Sequence, residues 1–335
     1  MSNQCVNTVA VLLEPGKFSF ASHQLEEDIL PGYVRIKISY CGVCGTDKSF
    51  YLGHRNEGYP ISLGHEHCGV IKAIGAGVIN LQAGCQVVID PNFRCGQCHF
   101  CRQKKGHLCI NGGEQHYSNR GFAGYIDIHH SYVHKLPAYR NDHIGALVEP
   151  LSVALHALAL SNLSDRKGEI LVLGCGGLGT LLAFALLETT AADLYIHDHN
   201  EFKTDHIRSL YPDRIRTPKA GQRFDLIFEA TGAAGGFMLA CDLLEKCSRL
   251  MLLSRYHADE PFIPERLPWK QPEITLCHLN GDIINMTDAA LLLADNWSAQ
   301  HDNLLSFHSF EDINNVFANY GKIKSNKKII THEQL

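Results

Sequence analysis

The sequence lacks blocks of like charge. Its 335 residues carry 30 Lys and Arg against 35 Asp and Glu, for a formal net charge of −5. Proteins that bind nucleic acid usually have a clustered basic surface, so this balance argues against a nucleic-acid partner. We also find no apolar run as long as a membrane span, and no basic stretch followed by an apolar segment near Met1. These absences predict a cytoplasmic protein without a membrane partner.

Thirteen cysteines are present, and without an export signal they predict free thiols and metal ligands rather than a disulfide framework. Four of them have the spacing C-x2-C-x2-C-x7-C, within a lobe of about residues 92–112. A two-residue gap lets two thiolates turn back onto one ion, and four thiolates complete a closed tetrahedral shell. The pattern predicts a structural zinc, and the alternative is two disulfides or four unrelated thiols. The predicted ligands are Cys95, Cys98, Cys101 and Cys109.

Short strands separated by glycine turns fill the first part of the chain. In Val34–Tyr40 apolar and polar residues alternate, which is typical of a half-buried strand. Val9–Leu13, Val70–Ile74 and Gln86–Asp90 are further strand candidates. This half therefore predicts an all-β or barrel-like domain.

The second half changes to helices that alternate with short apolar strands. Glu169–Leu173 runs into a G-x-G-x-x-G segment, which is followed by an apolar helix over Thr180–Leu187. Between a strand and a helix, these glycines allow a tight turn close to a diphosphate, which the free N–H groups of the helix can hold. The segment predicts a dinucleotide-binding turn. Its predicted cofactor-binding residues are Gly174, Gly176, Gly177, Leu178 and Gly179.

An acidic residue follows the next predicted strand. Asp198 comes directly after Asp193–His197, about 20 residues beyond the glycines, where a carboxylate accepts hydrogen bonds from both ribose hydroxyls. It would repel a 2′-phosphate, and no arginine immediately follows it, so NAD is predicted over NADP. The alternative role for Asp198 is a helix cap. The alternation continues through Phe224–Glu229 to Thr275–His278 and predicts a doubly wound parallel sheet.

A second set of metal-ligand residue types is spread along the chain: Cys44, His65, Glu66 and Glu149. A catalytic zinc keeps three protein ligands and an open fourth position. The sequence separation alone leaves other interpretations open. The cysteine could be a buried thiol, the histidine a core residue, and Glu149 an acid in the first turn of a helix.

Several motifs together resemble the zinc-dependent medium-chain dehydrogenase/reductase family. They are Cys44-Gly-Thr-Asp47, Gly64-His-Glu66, the four-cysteine lobe, Glu149-Pro150 and the glycine turn, in the family's order and at about its intervals. Glutamate at 149 makes the chain most similar to the polyol (sorbitol-type) and threonine dehydrogenase branch. The resemblance implies a GroES-like β-rich catalytic domain of residues 1–149 and 281–335. A Rossmann domain of residues 150–280 would complete a two-domain α/β fold, with the active site between them.

The same resemblance implies a reversible, zinc- and NAD-dependent oxidation of a secondary alcohol to a ketone. The substrate would be a polyol, cyclitol, amino alcohol or sugar derivative. Cys44, His65 and Glu149 would hold the catalytic zinc, with Glu66 as a further ligand or neighbour. Two zinc ions per chain are therefore expected, one catalytic and one structural.

The resemblance also assigns roles around the metal. Asp47 would orient the histidine ring, and Thr46 would receive the proton of the substrate hydroxyl. Thr231 and Gly232 would approach the nicotinamide half of the cofactor. Relatives of this kind pair through the edge of the Rossmann sheet, which implies a homodimer or homotetramer.

The sequence departs from the family pattern in two places. Glycines usually flank the strand that ends at Leu250–Leu253, but Ser254-Arg255-Tyr256 follows it here, so the seat of the nicotinamide is not predicted. Ser49 stands where some alcohol dehydrogenases have a relay histidine. The path of the proton beyond Thr46 is therefore open.

Basic residues near the expected cleft add a hypothesis about the substrate. Lys48, His54 and Arg55 would suit a phosphorylated or acidic molecule, or would simply form a polar loop. Phe50 and His116 are pocket candidates by family position alone. Two rival functions remain: an NADP-linked carbonyl reductase, and a non-catalytic zinc- and dinucleotide-binding protein of the same fold.

Overall fold

A computed structural model describes residues 6–55, 58–92, 94–111, 120–137, 142–163, 168–256, 271–277 and 283–332. These residues form a GroES-like part and a Rossmann part, as the motifs predicted. His116 and His278 lie outside the described residues.

Two sheets build the GroES-like part. The first is three-stranded, in the order β2-β1-β4, and its strands are antiparallel. The second has the order β15-β16-β3-β5-β6-β8, with β7 paired to β3. The strands are β1 (Val6–Glu14), β2 (Lys17–Gln24), β3 (Tyr33–Gly42), β4 (Ile61–Ser62), β5 (Glu66–Ile74), β6 (Gln86–Ile89), β7 (Tyr125–His129), β8 (Val133–Lys135), β15 (Leu305–Ser309) and β16 (Lys327–Thr331).

The alternation in β3 follows its two environments. Val34, Ile36 and Ile38 are fully buried in one core cluster. Between them, Arg35 is also buried, because its guanidinium pairs with Asp127 on β7 at 2.7 Å. The strand was predicted as half-buried, and the ion pair explains why one of its polar positions is covered.

The Rossmann part is a six-stranded sheet whose neighbouring strands are all parallel. Its central strand β9 reads Ile-Leu-Val-Leu and is buried throughout, as expected where helices cover both faces of a parallel sheet. In spatial order the strands are β11 (Ile215–Arg216), β10 (Leu194–His197), β9 (Ile170–Leu173), β12 (Phe224–Glu229), β13 (Leu244–Leu252) and β14 (Glu273–Leu276).

Eight α-helices belong to the described residues: α1 (Gly45–Tyr51), α2 (His99–Arg102), α3 (Val148–Ser161), α4 (Gly177–Thr189), α5 (Glu201–Leu210), α6 (Ala234–Leu243), α7 (Ile283–Asn296) and α8 (Ile313–Ala318). The segment Asp142–Ser161, which includes α3, is long and apolar enough to cross a membrane by length and composition. Polar residues such as Glu149 and His156 interrupt it, so it does not stand out in the sequence as one continuous apolar run. In the fold, 72% of its most apolar window is buried, as in the core helix of a globular protein.

The chain after α7 returns to the first half of the fold. Strand β16 pairs antiparallel with β3 and parallel with β15. Just before it, buried Asn326 donates from Nδ2 to Cys175 O, Thr180 Oγ1 and Lys203 O, each at 3.1 Å. These hydrogen bonds join the start of β16, in the GroES-like sheet, to the glycine turn of the Rossmann part.

Candidate active site

The four clustered cysteines meet in one lobe around α2. The Cys95 and Cys101 sulfurs are 4.0 Å apart, and those of Cys98 and Cys109 are 3.9 Å apart. A tetrahedral shell with Zn–S bonds of about 2.3 Å has S···S edges of about 3.8 Å, so the four thiols fit one zinc ion. Backbone N–H groups, with burial opposing them, lower the pKa of Cys95 to about 6, which favours the thiolate that zinc binds.

A second group brings together three residues from separate segments. One ligand atom each from Cys44, His65 and Glu66 lies within 4.8 Å of the others. Cys44 is the N-cap of α1, and His65 and Glu66 stand at the start of β5. Gly64 makes this approach possible: its φ is +92°, and a Cβ there would lie 2.7 Å from the backbone nitrogen of Phe122. The thiol, imidazole and carboxylate fit a zinc site with room for a further ligand.

Asp47 links the two segments that carry this group. Its carboxylate is fully buried and accepts hydrogen bonds from Cys44 N at 2.9 Å and Gly64 N at 3.3 Å. The same carboxylate lies 3.6 Å from His65 Nδ1. Burial opposes charge on the imidazole, but Cys44 and Asp47 outweigh it and raise the pKa of His65 well above its ordinary value. Asp47 thus lies beside the imidazole whose orientation the resemblance assigns to it, and that role stays a prediction.

Glu66 has a partner that the sequence analysis missed. Lys327, at the start of β16, is 4% exposed, pairs with Glu66 Oε2, and donates to Val43 O at 3.2 Å. Burial lowers the pKa of Lys327, but Glu66 and Cys44 outweigh it and hold this lysine charged. Two adjacent lysines at the start of a short strand, Lys327 and Lys328, were the only sequence signal for this pair.

Glu149 lies beside the three-residue group but is not part of it. It stands in the first turn of α3 and is 5% exposed. Burial, with the charge of Glu66, raises its pKa to about 8, against the opposing charges of His65 and Lys327. The structure therefore places Glu66 closer than Glu149 to the cysteine and histidine.

The other residues predicted near the metal fall on α1. Cys44 lies between the end of β3 at Gly42 and the first turn of α1, which begins at Gly45. Thr46 lies in that turn, and its N–H donates to Cys44 Sγ at 3.5 Å. Phe50, a predicted pocket residue, is fully buried in the core, and the Arg55 guanidinium lies 5.0 Å from its ring centroid.

The glycine turn lies between β9 and α4, as predicted. Gly174 has φ +95°, and a Cβ on it would lie 2.8 Å from Thr231 N, while a Cβ on Gly179 would collide with the carbonyl oxygen of Gly174. Gly176 caps α4 without a side-chain hydrogen bond and faces open space, so the first N–H groups of the helix are free of a side-chain cap. This cradle fits the diphosphate of a dinucleotide.

Asp198 stands at the end of β10, next to that cradle. Its carboxylate accepts from Cys175 N at 2.8 Å and Asn200 N at 2.9 Å, and Lys203 Nζ lies 4.0 Å away. The alternative role of helix cap belongs to Asn200, whose side chain accepts from Phe202 N at the start of α5. Asp198 is thus held beside the glycine turn by backbone N–H groups.

The ends of β12 and β13 are tied by a second group that the sequence did not reveal. Glu229 is fully buried; it accepts from Thr231 N at 2.8 Å, and also from the hydroxyls of Thr231 and Tyr256. Gly232 N donates to Ser254 Oγ at 2.8 Å. Polar side chains therefore join the two strand ends where the family pattern has glycines.

Three comparisons place this geometry among known proteins. A family model described as the alcohol dehydrogenase GroES-like domain matches residues 30–138. The (R,R)-butanediol dehydrogenase of Bacillus subtilis is 31% identical over 63% of this chain and 66% of that enzyme. The 2-dehydro-3-deoxy-L-galactonate 5-dehydrogenase of Pseudoalteromonas atlantica is 28% identical over 86% of this chain and 88% of that enzyme.

The chain belongs to the zinc-type medium-chain alcohol dehydrogenase family. The two relatives just named are a butanediol dehydrogenase and a sugar-acid dehydrogenase. The likeness in fold extends over nearly the full chain. The structure of a candidate zinc-binding dehydrogenase of Sinorhizobium meliloti, bound to NADP, superposes on this chain with a TM-score of 0.85. The superposition covers 98% of this chain and 100% of that one, at 21% identity. At that identity the likeness shows the fold alone.

Proposed function

We propose that this medium-chain dehydrogenase interconverts a secondary alcohol of polyol type and the corresponding ketone, with zinc and NAD. The observation that carries the proposal is the meeting of Cys44, His65 and Glu66 within 4.8 Å. The names of the relatives, a butanediol dehydrogenase and a sugar-acid dehydrogenase, support a secondary alcohol as the substrate class.

When bound, zinc supplies a Lewis acid for the substrate oxygen, and the dinucleotide supplies a hydride acceptor. Cys44, His65 and a glutamate hold the metal, and Asp47 fixes the imidazole through its contact with Nδ1. Thr46 is the second residue of α1, and its hydroxyl would take the proton of the substrate. Lys327 Nζ pairs with Glu66 Oε2 and holds its carboxylate in one place.

NAD is supported by Asp198, since a carboxylate beside the ribose would repel a 2′-phosphate. We expect Asp198→Ala to weaken NAD binding and to shift preference toward NADP. Titrations of both cofactors against the wild type and the variant test this. Unchanged NAD affinity in the variant would leave the ribose contact without support, and NADP as the better wild-type cofactor would favour the carbonyl reductase.

The deciding experiment measures reduction of NAD, beside NADP, over polyols, cyclitols, amino alcohols and their phosphates, with and without a zinc chelator. Turnover of one class that the chelator abolishes would support the proposal and name the substrate. Thr46→Val is the matched variant, because it keeps the shape of the side chain and removes the hydroxyl. Cofactor binding with no turnover of any alcohol would favour the non-catalytic binding protein.

The assembly is also proposed. Strand β14 is an edge of the Rossmann sheet among the described residues, and its Leu276 is 77% exposed. We propose that two copies of the chain pair through this edge. The domain boundaries at residues 149 and 281 and the cytoplasmic location remain predictions.

A further inference from the structure

Arg94 joins the four-cysteine lobe to the GroES-like sheet. It directly precedes Cys95, and its guanidinium pairs with Asp90, whose carboxylate is fully buried just after β6. The hydroxyl of Tyr132 accepts from Arg94 N at 3.4 Å and donates to Arg94 O at 3.0 Å. A Cβ on Gly106, where the lobe returns, would collide with Arg94 Cδ, so the chain packs directly on this side chain. The base of the lobe is therefore fixed by one arginine.

Asp90 faces the start of α3, where Glu149 lies. Strand β6 contacts the 3-10 helix Asp142–Leu147, which runs directly into α3. Val88 and Asp90 alternate with Ile89 and so share one face of the strand, and Val88 belongs to the core cluster that includes the first turn of α3. Asp90 is close enough for its charge to act on Glu149: after burial and Glu66, it also raises the pKa of that carboxyl. The ion pair of the lobe thus ends beside the turn that carries Glu149.

A second contact joins the lobe to α3 itself. The ring centroids of His107, in the lobe, and His156, on α3, lie 5.1 Å apart. Glu149 and His156 are separated by about two helical turns, so they lie on the same face of α3. The lobe therefore reaches the surroundings of Glu149 by two routes, through β6 and through α3.

We propose that Arg94 and His107 are positioning residues through which the four-cysteine lobe holds Glu149 at the metal of the Cys44 group. The proposal rests on the proposed function, because it takes Glu149 as a carboxylate of that metal site. A carboxylate held in one place loses less freedom when it binds an ion, and residues that support a ligand commonly contribute roughly 10- to 100-fold to metal affinity. The lobe then acts on the reaction through the position of α3 and supplies no group to the substrate.

The test measures how tightly the Cys44 group holds zinc, by competition with a chelator well below the melting temperature, in protein whose lobe is filled. Arg94→Met removes the ion pair and keeps the apolar stem, whereas Arg94→Lys keeps the charge. His156→Leu removes the ring contact and leaves no buried charge behind, so it remains informative if Arg94→Met does not fold. Arg102→Met and His99→Leu, at exposed positions of the same lobe, are the matched controls.

We expect Arg94→Met and His156→Leu each to lower the zinc affinity of the Cys44 group by roughly 10- to 100-fold, with Arg94→Lys and both controls close to wild type. The kcat should fall while the KM for the dinucleotide stays unchanged, because the glycine turn is not touched. A merely structural role would lower the melting temperature without this loss of zinc affinity. Wild-type zinc affinity in both Arg94→Met and His156→Leu would overturn the proposal.

A double substitution tests whether Arg94 acts through Glu149. Glu149→Ala alone should weaken zinc binding by the Cys44 group. Adding Arg94→Met should weaken it no further, because two residues that act through one group are not additive. Full addition of the two losses, or unchanged zinc binding in Glu149→Ala, would overturn the proposal.

Failure of the proposed function gives a different result. In that case the variants lose zinc affinity as expected, while the wild type oxidises no alcohol. If the positioning is wrong and the function is right, the wild type oxidises alcohols and the variants hold zinc as tightly as the wild type. The two failures are therefore distinguished by separate measurements, turnover and zinc affinity.

Discussion

Glu229 shows how a single buried side chain organises the cofactor end of the Rossmann sheet. Its carboxylate is fully buried, which is unfavourable unless donors surround it, and three donors do. One of them, Tyr256, lies in the segment that replaces the glycine of the family pattern. The hydroxyl of Tyr256 thus satisfies one oxygen of the buried carboxylate, whose other oxygen holds the turn at Thr231.

Tyr256→Phe should therefore destabilise the protein by about 1–3 kcal/mol, because it takes one donor from a buried carboxylate. We also expect a raised KM for the dinucleotide with zinc content unchanged. Tyr195→Phe is the control: its hydroxyl donates to exposed Glu169 at 2.8 Å, at the opposite end of the same sheet. Urea unfolding and cofactor titration of both variants decide the matter. Equal effects in the two variants would show that Glu229 has no special role.

His332 gives the fold a dependence on pH. Its ring lies 4.3 Å from that of Phe310, its Nε2 has no hydrogen-bond partner among the described residues, and burial lowers its pKa to about 4. The unfolded chain, with an ordinary pKa of about 6.5, binds the proton more readily. Stability contributed by the neutral ring is present above pH 6.5 and is lost as pH falls towards 4, by at most about 3 kcal/mol.

We expect His332→Phe to reduce this loss, measured as the free energy of unfolding at pH 7 and pH 5. Zinc binding also weakens in acid, so the quantity to compare is the difference between variant and wild type at each pH. His23→Phe, at an exposed position of β2, is the control. The interpretation fails if both variants lose stability in acid as steeply as the wild type.

At the scale of elements, the two metal groups differ in how the chain builds them. The four-cysteine lobe comes from one short segment around α2, whereas the Cys44 group needs α1 and β5 to meet. We expect Cys98→Ser to remove the lobe zinc and lower the melting temperature. Glu149→Ala should instead lower the occupancy and activity of the other site and leave the lobe filled.

Metal analysis per chain, with and without mild chelation, measures both effects. Cys247→Ser is the control, since Cys247 is the exposed cysteine among those the structure describes. Full activity and zinc content in Glu149→Ala would exclude Glu149 from the metal site and leave Glu66 as its carboxylate. Lost activity in Cys98→Ser with unchanged stability would contradict a structural role for the lobe.

The elements that could be predicted are those whose geometry depends on residues close together in the sequence. Each of two motifs lies within one short segment, so its spacing alone predicts its geometry: Cys95 to Cys109 and Gly174 to Gly179. The pairs Glu66–Lys327 and Glu229–Tyr256 could not be predicted, because each joins residues brought together only by the sheets. The capping of α1 by Cys44 and Asp47 could not be predicted either, because it depends on side-chain contacts.

For the whole molecule, the return of the chain after α7 is the decisive feature. It brings Lys327 to Glu66 and Asn326 to the glycine turn, so residues near the end of the described chain complete sites built by its first half and its middle. No periodicity in the sequence indicates this; it follows from the pairing of β16 with β3.

Assembly is the other property of the whole molecule, and the proposed pairing through β14 can be tested directly. Its Leu276 and Ile274 are 77% and 39% exposed on a strand that pairs with β13 on one side alone among the described residues. Exposed apolar edge strands can pair with a strand of another chain.

In a two-fold pair each substitution occurs on both sides of the interface, and each buried leucine contributes about 1.5–3 kcal/mol to its free energy of association. Leu276→Lys should therefore convert the proposed dimer to a monomer at micromolar concentration. Ile79→Lys, at an 85% exposed position in the GroES-like part, should not. Sedimentation equilibrium of the two variants measures this, and a wild type that sediments as a monomer, or a Leu276→Lys variant that stays dimeric, would place the interface elsewhere.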